Sequence, residues 1–428
     1  MLNINKIRKN TEEIIQRLKI RNFDGENIIN ELLNIDKQRK QAQAENDRLL
    51  AGQNQISKTI GELFKSGNKE EANKAREKTA ELKNKIQENT HTIKDLEHKQ
   101  TALLSEIPNI PHKTVPPGKS DEDNEEISRH GDITPPQVIK PHWDIIRDLD
   151  IIDFDLGNKI TGAGFPVYKG KAAKLQRALI SFFLDEGEKA EYQEVLPPLL
   201  VNEASGFGTG QLPDKDGQMY QIKEDNYFLI PTAEVPVTNI FRNTILKANQ
   251  LPEKRMAYTP CFRREAGSWG SDVRGLNRLH QFDKVEIVRI EQPDFSYDAL
   301  EEMKTHVSKL LEKLNLPYRI MRLCGGDLGF TSALTFDFEV YSAGQDKWLE
   351  VSSVSNFEDY QANRLKLRYR DPETNKPRTA HTLNGSALAL PRIMAAIIEN
   401  NFTGDAIVIP QVLHHYTGFK TIDKIKTN

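Results

Sequence analysis

The chain has 428 residues, 59 Lys and Arg against 62 Asp and Glu, a formal net charge of -3 and two cysteines. That length exceeds what one hydrophobic core usually serves, so two domains are expected, and the charge balance excludes a protein coated in positive charge. Cys261 and Cys324 are too few for a disulfide framework or a four-cysteine zinc site. No run of apolar residues is long enough for a bilayer span, and the opening MLNINKIRKNTEEIIQRL lacks a secretory signal's apolar centre, so a cytoplasmic protein with no membrane partner and no zinc is expected.

From Ile28 onward, apolar residues recur every seventh position at Ile35, Ala42, Leu49, Ile56 and Leu63, with a weaker row at Leu32, Arg39, Asn46, Gln53 and Ile60. Lys65-Ser66-Gly67-Asn68 interrupts the pattern. It resumes at Ala72, Thr79, Ile86, Ile93, Gln100 and Ile107, interleaved with Ala75, Leu82, Asn89, Leu96 and Leu103. Two heptad helices joined by a tight turn predict an antiparallel coiled-coil hairpin over about residues 27–106, within an N-terminal domain of 1–110. Asn46 and Asn89 occupy core positions and are expected to face each other, fixing the register. The outer faces mix basic residues such as Lys37, Lys40, Arg48 and Lys58 with nearly as many acids, so charge does not decide between a structural coil and a binding arm.

Pro108, Pro111, Pro116 and Pro117 stop the second helix, and KSDEDNEE is acidic and poor in apolar residues. Residues 111–136 therefore read as a linker that does not pack. Over 137–428, a helical pattern from Gly170 to Glu186 and short strand-like runs such as YFLI and FDFEVY follow one another irregularly. This predicts an α+β domain, and neither a Walker loop nor GxGxxG is present.

Residues 262–286 read FRREAGSWGSDVRGLNRLHQFDKVE. Extended segments on either side of a turn containing Gly267, Gly270 and Gly275 predict a hairpin with Arg263 and Glu265 on one face of the first strand. Arg278, Phe282 and Glu286 would share a face of the second. Such a hairpin offers guanidinium groups for phosphate, an aromatic plate for a base and a carboxylate about 13 Å further on, a shape that suits an adenylate. Solvated surface arginines are the plain alternative.

The hairpin resembles motif 2 of class II aminoacyl-tRNA synthetases, and FRREAG with HQFDKVE is similar to the seryl-tRNA synthetase family. GTGQLP at 208–213, PTAE at 231–234, EVSSVSNFEDYQANR at 350–364 and NGSALALPR at 384–392 extend the resemblance along the chain. It implies a class II catalytic domain built on an antiparallel sheet flanked by helices. It further implies ATP-dependent activation of L-serine and transfer of serine to tRNA(Ser), leaving tRNA(Sec) open, with ATP and Mg²⁺ bound and a homodimer formed through motif 1.

By the same resemblance, Arg263 meets the α-phosphate and the serine carboxylate, and Arg278 and Arg392 hold the terminal phosphates. Glu265, Phe282 and Leu279 border the adenine. Arg264, Val351 and Ser352 complete the ATP-binding strings, and Glu350 and Ser353 ligate Mg²⁺, which prefers such hard oxygen donors. Thr232, Ala233, Glu234, Glu286 and Ser386, with Arg263, bind serine; Glu234 suits its ammonium and Glu286 its hydroxyl. The N-terminal hairpin would grip the long variable arm of the tRNA.

Two places depart from the family pattern: Glu191 stands where a glycine usually precedes the aromatic Tyr192, and Ala387 and Leu390-Pro391 replace glycines. A synthetase-like ligase acting on a carrier protein and an inactive RNA-binding relative are the alternatives. The intact heptads count against the first, and the retained Arg263, Glu265, Glu350 and Arg392 against the second.

Overall fold

The computed structural model describes residues 1–266 and 274–424, which form two compact units. Gly267 and Gly270 of the expected turn lie outside the described residues. One unit holds Leu2–Lys19 and Phe23–Pro108; the other holds Met1, Ile20–Asn22 and Asn109 onward.

In the first unit, α1 (Ile4–Lys9) and α2 (Thr11–Lys19) precede two long helices, α3 (Glu26–Lys65, 40 residues) and α4 (Lys69–Glu106, 38 residues), that pack on each other. The expected heptad rows are the sheltered ones. Leu32, Ile35, Asn46, Ala72, Ile93 and Leu96 are buried, whereas most residues between the rows are exposed. The helices reverse through Gly67 at φ +81, with Gly67 N donating to Phe64 O (3.3 Å) and Asn68 N to Leu63 O (3.0 Å). This pair of bonds caps the carbonyls that α3 leaves unsatisfied, and the positive φ is why glycine stands there. The asparagines lie inside the coil as expected, but their bonding differs: Asn89 Nδ2 donates to Ala42 O at 2.8 Å, and the buried Asn46 Oδ1 has no partner.

The second unit is built on an eight-stranded sheet. Its strands are β1 (Glu125–His130), β2 (Gln193–Glu194), β3 (Glu253–Phe262), β4 (Gln281–Glu291), β5 (Tyr318–Arg322), β6 (Leu334–Ser342), β7 (Lys347–Asn356) and β8 (His381–Ala389). The order is β1-β5-β6-β7-β8-β4-β3-β2, antiparallel except for the short β2 beside β3. The expected linker is thus corrected in part: Glu125–His130 pairs with β5. Its acidic side chains meet Arg322 and Arg319 across the ladder, partners about two hundred residues away in sequence.

Helices α5 (His142–Asp148), α6 (Gly170–Lys189), α7 (Glu234–Asn239), α8 (Ser296–Lys313) and α9 (Leu390–Asn400) complete the frame around the site. Strand period sends alternate residues of β4 to opposite faces. Val285 and Ile287 join a core with Leu179 and Phe182 of α6, Met303 of α8 and Met394 and Ile397 of α9. Phe282, Lys284 and Glu286 turn to the other face, and further along that face Val288 and Ile290 seal a second core with Val237 of α7. A polar patch is therefore held on a sheet braced from behind. Glu191 adopts φ +66, a backbone state that favours glycine.

Candidate active site

The β3–β4 ladder ends at the pair Phe262↔Gln281. Arg263, Glu265 and Arg278 consequently lie beyond the strands, correcting the expected strand faces for these three, and Glu265 sits at φ +47. Phe282 and Glu286 do share one face of β4. All five side chains still border one cavity of about 260 Å³. With them come Thr232, Glu234, Leu279, Glu350, Val351, Ser352, Ser353, Ser386 and Arg392. Ala233 and Arg264 do not line it: Ala233 is fully buried in the second core, and the Arg264 N–H donates to Gln218 O at 2.9 Å.

The deep end is set by register, because Glu286 on β4 pairs with Ser386 on β8, bringing the two to one place on the sheet. Thr232 precedes α7, and its hydroxyl donates to Glu286 Oε2 (2.8 Å) while accepting the Glu234 N–H (3.2 Å). Glu234 Oε1 accepts from Gln361 Nε2 (2.7 Å), and Gln361 is itself fixed by the Thr382 hydroxyl (2.7 Å). Burial first, and then the neighbouring Glu286 carboxylate, push the Glu234 carboxyl up to about 7 against the opposing effects of Gln361 and Lys284. The buried Lys284 ammonium contacts Glu286. The pocket is therefore acidic, with a single buried ammonium offsetting two carboxylates.

Toward the mouth, the Arg263 guanidinium lies 5.2 Å from the Phe282 ring centroid, and its Nε donates to Pro231 O at 3.3 Å. Arg278 Nη1 pairs with Glu265 Oε2 at 3.1 Å. Arg392 occupies the first turn of α9, where Pro391 costs no helical hydrogen bond. Its Nε donates to Asn277 O (3.0 Å) and its Nη1 to Glu350 O (2.7 Å).

An adjoining hollow shares Asn277, Arg278, Glu350, Ser353 and Arg392 with the cavity and adds Asp327, Asp337 and Glu339. Burial, then the charge of Glu350, raise the Asp337 carboxyl well above its ordinary range, and its Oδ1 is buried without a hydrogen-bond partner. Among the described residues no group of three or more His, Cys, Asp or Glu side chains is disposed to hold a metal by itself. Glu350 and Ser353 provide a carboxylate and a hydroxyl, hard oxygens of the kind that suit a Mg²⁺ keeping waters or phosphate oxygens for its other ligands.

Sequence reasoning missed Lys284, Asn277, Gln361 and Asn384. Lys284 carried a usable signal, since it lies midway between Phe282 and Glu286 at strand period two. Gln361 and Asn384 sat within the family motifs without a role. Among the described residues no helix is long and apolar enough to cross a membrane.

Two family models match the chain: the seryl-tRNA synthetase N-terminal domain over residues 1–111, and the tRNA synthetase class II core domain (G, H, P, S and T) over 219–401. The serine–tRNA ligase of Salinibacter ruber is 47% identical over 424 residues, covering 99% of both chains. That of Clostridium tetani is 43% identical over 428 residues, covering 99% of this chain and 100% of its own. Among solved structures, the seryl-tRNA synthetase from Pyrococcus horikoshii complexed with ATP superposes with a TM-score of 0.90 at 33% identity, covering 100% of each chain.

Proposed function

Because the chain belongs to the seryl-tRNA synthetase family and is a class II serine–tRNA ligase, we propose that the cavity on β4 and β8 is where ATP and L-serine react. The observation that carries this reading is the gathering, from four separated stretches of chain, of every expected site residue except Ala233 and Arg264 around one cavity.

In the first step a serine carboxylate oxygen attacks the α-phosphorus, an O–P bond forms, and the bond to the β-phosphate oxygen breaks, releasing pyrophosphate. Anion approaches anion, so fixed cations must offset the repulsion and the charge that builds in line. Arg263 meets the α-phosphate and the serine carboxylate, with its Nε bond to Pro231 O and the nearby Phe282 ring restraining the guanidinium. Phe282 and Leu279 border the adenine with Glu265, while Arg278 and Arg392 take the terminal phosphates. In the second step the 3′-terminal ribose hydroxyl of the tRNA attacks the seryl carbonyl, and AMP leaves. No side-chain nucleophile is needed.

Glu234 receives the serine ammonium, and Glu286, oriented by Thr232 and Lys284, receives the side-chain hydroxyl. Alanine would bring no hydroxyl to that buried carboxylate and would forfeit the hydrogen bond, which is how such a pocket discriminates against it. Glu350 and Ser353 are the residues that would ligate Mg²⁺, and the buried, unpartnered Asp337 Oδ1 beside them is consistent with a cation there. When bound, Mg²⁺ neutralises phosphate charge and holds the phosphate oxygens in place.

The division of the chain into a tRNA-binding arm and a catalytic unit, the action in the cytosol and a homodimer are part of the same reading. In favour of the dimer, the motif 1 region leaves Leu196 80% exposed, with Leu200 and Ile240 also exposed. Serine-dependent ATP–pyrophosphate exchange tests the reaction: exchange with serine and none with alanine is expected, and its absence in folded protein would refute the site.

A further inference from the structure

Behind the cavity wall lies a polar ring, mostly buried, whose members other than Arg392 have no part in the reaction described above. Helix α9 carries Arg392 in its first turn and Glu399 seven residues on, about 10 Å along the axis at about 1.5 Å per residue. Glu399 is fully buried and accepts five donors: His142 Nδ1 (2.7 Å), the His142 N–H (2.9 Å), Gln345 Nε2 (3.0 Å), the Gly344 N–H (3.2 Å) and the Ser342 hydroxyl. Burial would raise this carboxyl, yet the bonds from His142 and Ser342 outweigh it and hold it below its ordinary value, so it stands as an ionised acceptor.

From Glu399 two links return to the cavity. His142, also fully buried, accepts the Leu276 N–H on Nε2 at 2.8 Å. That bond leaves Nε2 bare and puts the ring proton on Nδ1, toward Glu399. Gln345 Oε1 accepts from Asn277 Nδ2 at 2.8 Å. The Asn277 carbonyl then accepts from Arg392 Nε at 3.0 Å, closing the ring on the helix where it began. Gly275 shows how tightly the returning chain is seated: it lies at φ +61, and a Cβ there would fall 2.2 Å from His142 Nε2.

We propose that His142 and Gln345, both gripping Glu399, are positioning residues for nucleotide binding. They fix Leu276 and Asn277 so that the Asn277 carbonyl, with Glu350 O, sets the plane of the Arg392 guanidinium facing the cavity. This rests on the reading that Arg392 meets the terminal phosphates of ATP. An arginine held by two fixed carbonyls presents its other donors without first having to be ordered, which is where a supporting shell gains affinity. None of these groups lines the serine end of the cavity, so the effect falls on one substrate.

The test uses the full-length protein in serine-dependent pyrophosphate exchange, with KM for ATP and for serine measured separately and thermal unfolding followed in parallel. Gln345→Ala and His142→Phe are expected to raise KM for ATP by about tenfold while KM for serine stays within about twofold. His142→Gln, whose amide can both donate to Glu399 and accept from Leu276, should restore most of the loss. If His142→Phe does not fold, Gln345→Ala decides. An unchanged KM for ATP in folded Gln345→Ala overturns the proposal, as does a rise of both KM values in proportion, which is the mark of a merely structural role. Arg392→Ala separates the two readings. If it leaves KM for ATP unchanged, the phosphate assignment and the positioning role both fall; if it raises KM for ATP and Gln345→Ala does not, only the positioning role falls.

Discussion

Glu234 and Glu286 share a pocket yet are braced differently, and the difference is measurable. Burial and the Glu286 charge push the Glu234 carboxyl up to about 7, whereas pairing with an ammonium requires its ionised form. Below about 7 the carboxyl is mostly protonated and must lose a proton before it can pair, so serine binding should tighten as pH rises. About a tenfold gain in affinity between pH 6 and 8 is expected by calorimetry, and Glu234→Gln should flatten the profile while weakening binding throughout. For stability the same shift acts in the opposite sense. A raised carboxyl favours folding below its unfolded value near 4.5, and that contribution is lost as pH rises through about 7. Glu286→Gln should cost about 2 to 4 kcal/mol of transition-state stabilisation with serine while leaving ATP binding nearly intact, since the carboxylate lies at the serine end beside Thr232 and Lys284. Equal loss of ATP binding would contradict the assignment.

At the scale of the elements, the helical hairpin carries a buried charge of its own. Asp36 on α3 is 3% exposed and accepts from Arg8 Nε (3.1 Å) and Nη2 (2.9 Å), from Gln100 Nε2 (3.2 Å) and from Lys40 (3.3 Å). Burial opposes the charged form, but the bonds from Gln100 and Lys40 and the charge of Arg8 hold the carboxyl below its ordinary value. A depressed carboxyl stabilises above its unfolded value near 3.8 and loses that contribution as pH falls, so this unit should weaken in acid. Asp36→Ala should cost about 2 kcal/mol at neutral pH by chemical denaturation, less than a fully buried pair would lose because Arg8 is 38% exposed. Asn46→Leu should do the reverse. It removes a buried oxygen that has no partner while sparing the Asn89 bond to Ala42, and a gain of about 1 kcal/mol in the melting of the arm is expected.

For the whole molecule, the two units permit a division of labour to be tested directly. Replacing residues 28–106 by a short flexible linker removes the heptad hairpin but none of the cavity's residues. Pyrophosphate exchange should survive in the truncated protein, and serylation at subsaturating tRNA should fall steeply, because phosphate contacts carry much of the affinity for nucleic acid. Both are measured on one preparation after circular dichroism has shown it to be folded and sedimentation has shown it to keep the oligomeric state of the full-length protein. Serylation near the full-length rate would exclude the hairpin as the tRNA-binding element.

The sequence by itself determined what depends on near neighbours. A seven-residue repeat names its own buried face, so the rows through Leu32, Asn46, Ile93 and Leu96 were legible from spacing alone. Strand alternation likewise put Phe282 and Glu286 on one face. The family motifs, each short and local, named most of the cavity. Only the tertiary structure decided what depends on distant partners. The end of the acidic stretch, Glu125 and Glu126, enters an edge strand where Arg319 and Arg322 lie beside it. Arg263, Glu265 and Arg278 reach the cavity from beyond the ladder, because pairing stops at Phe262 and Gln281. The partners of Asn89, Lys284 and Glu399 were likewise set by register and by helix docking. A hydrogen bond is directional and short, so which polar groups meet is fixed only when the sheet and helices have packed.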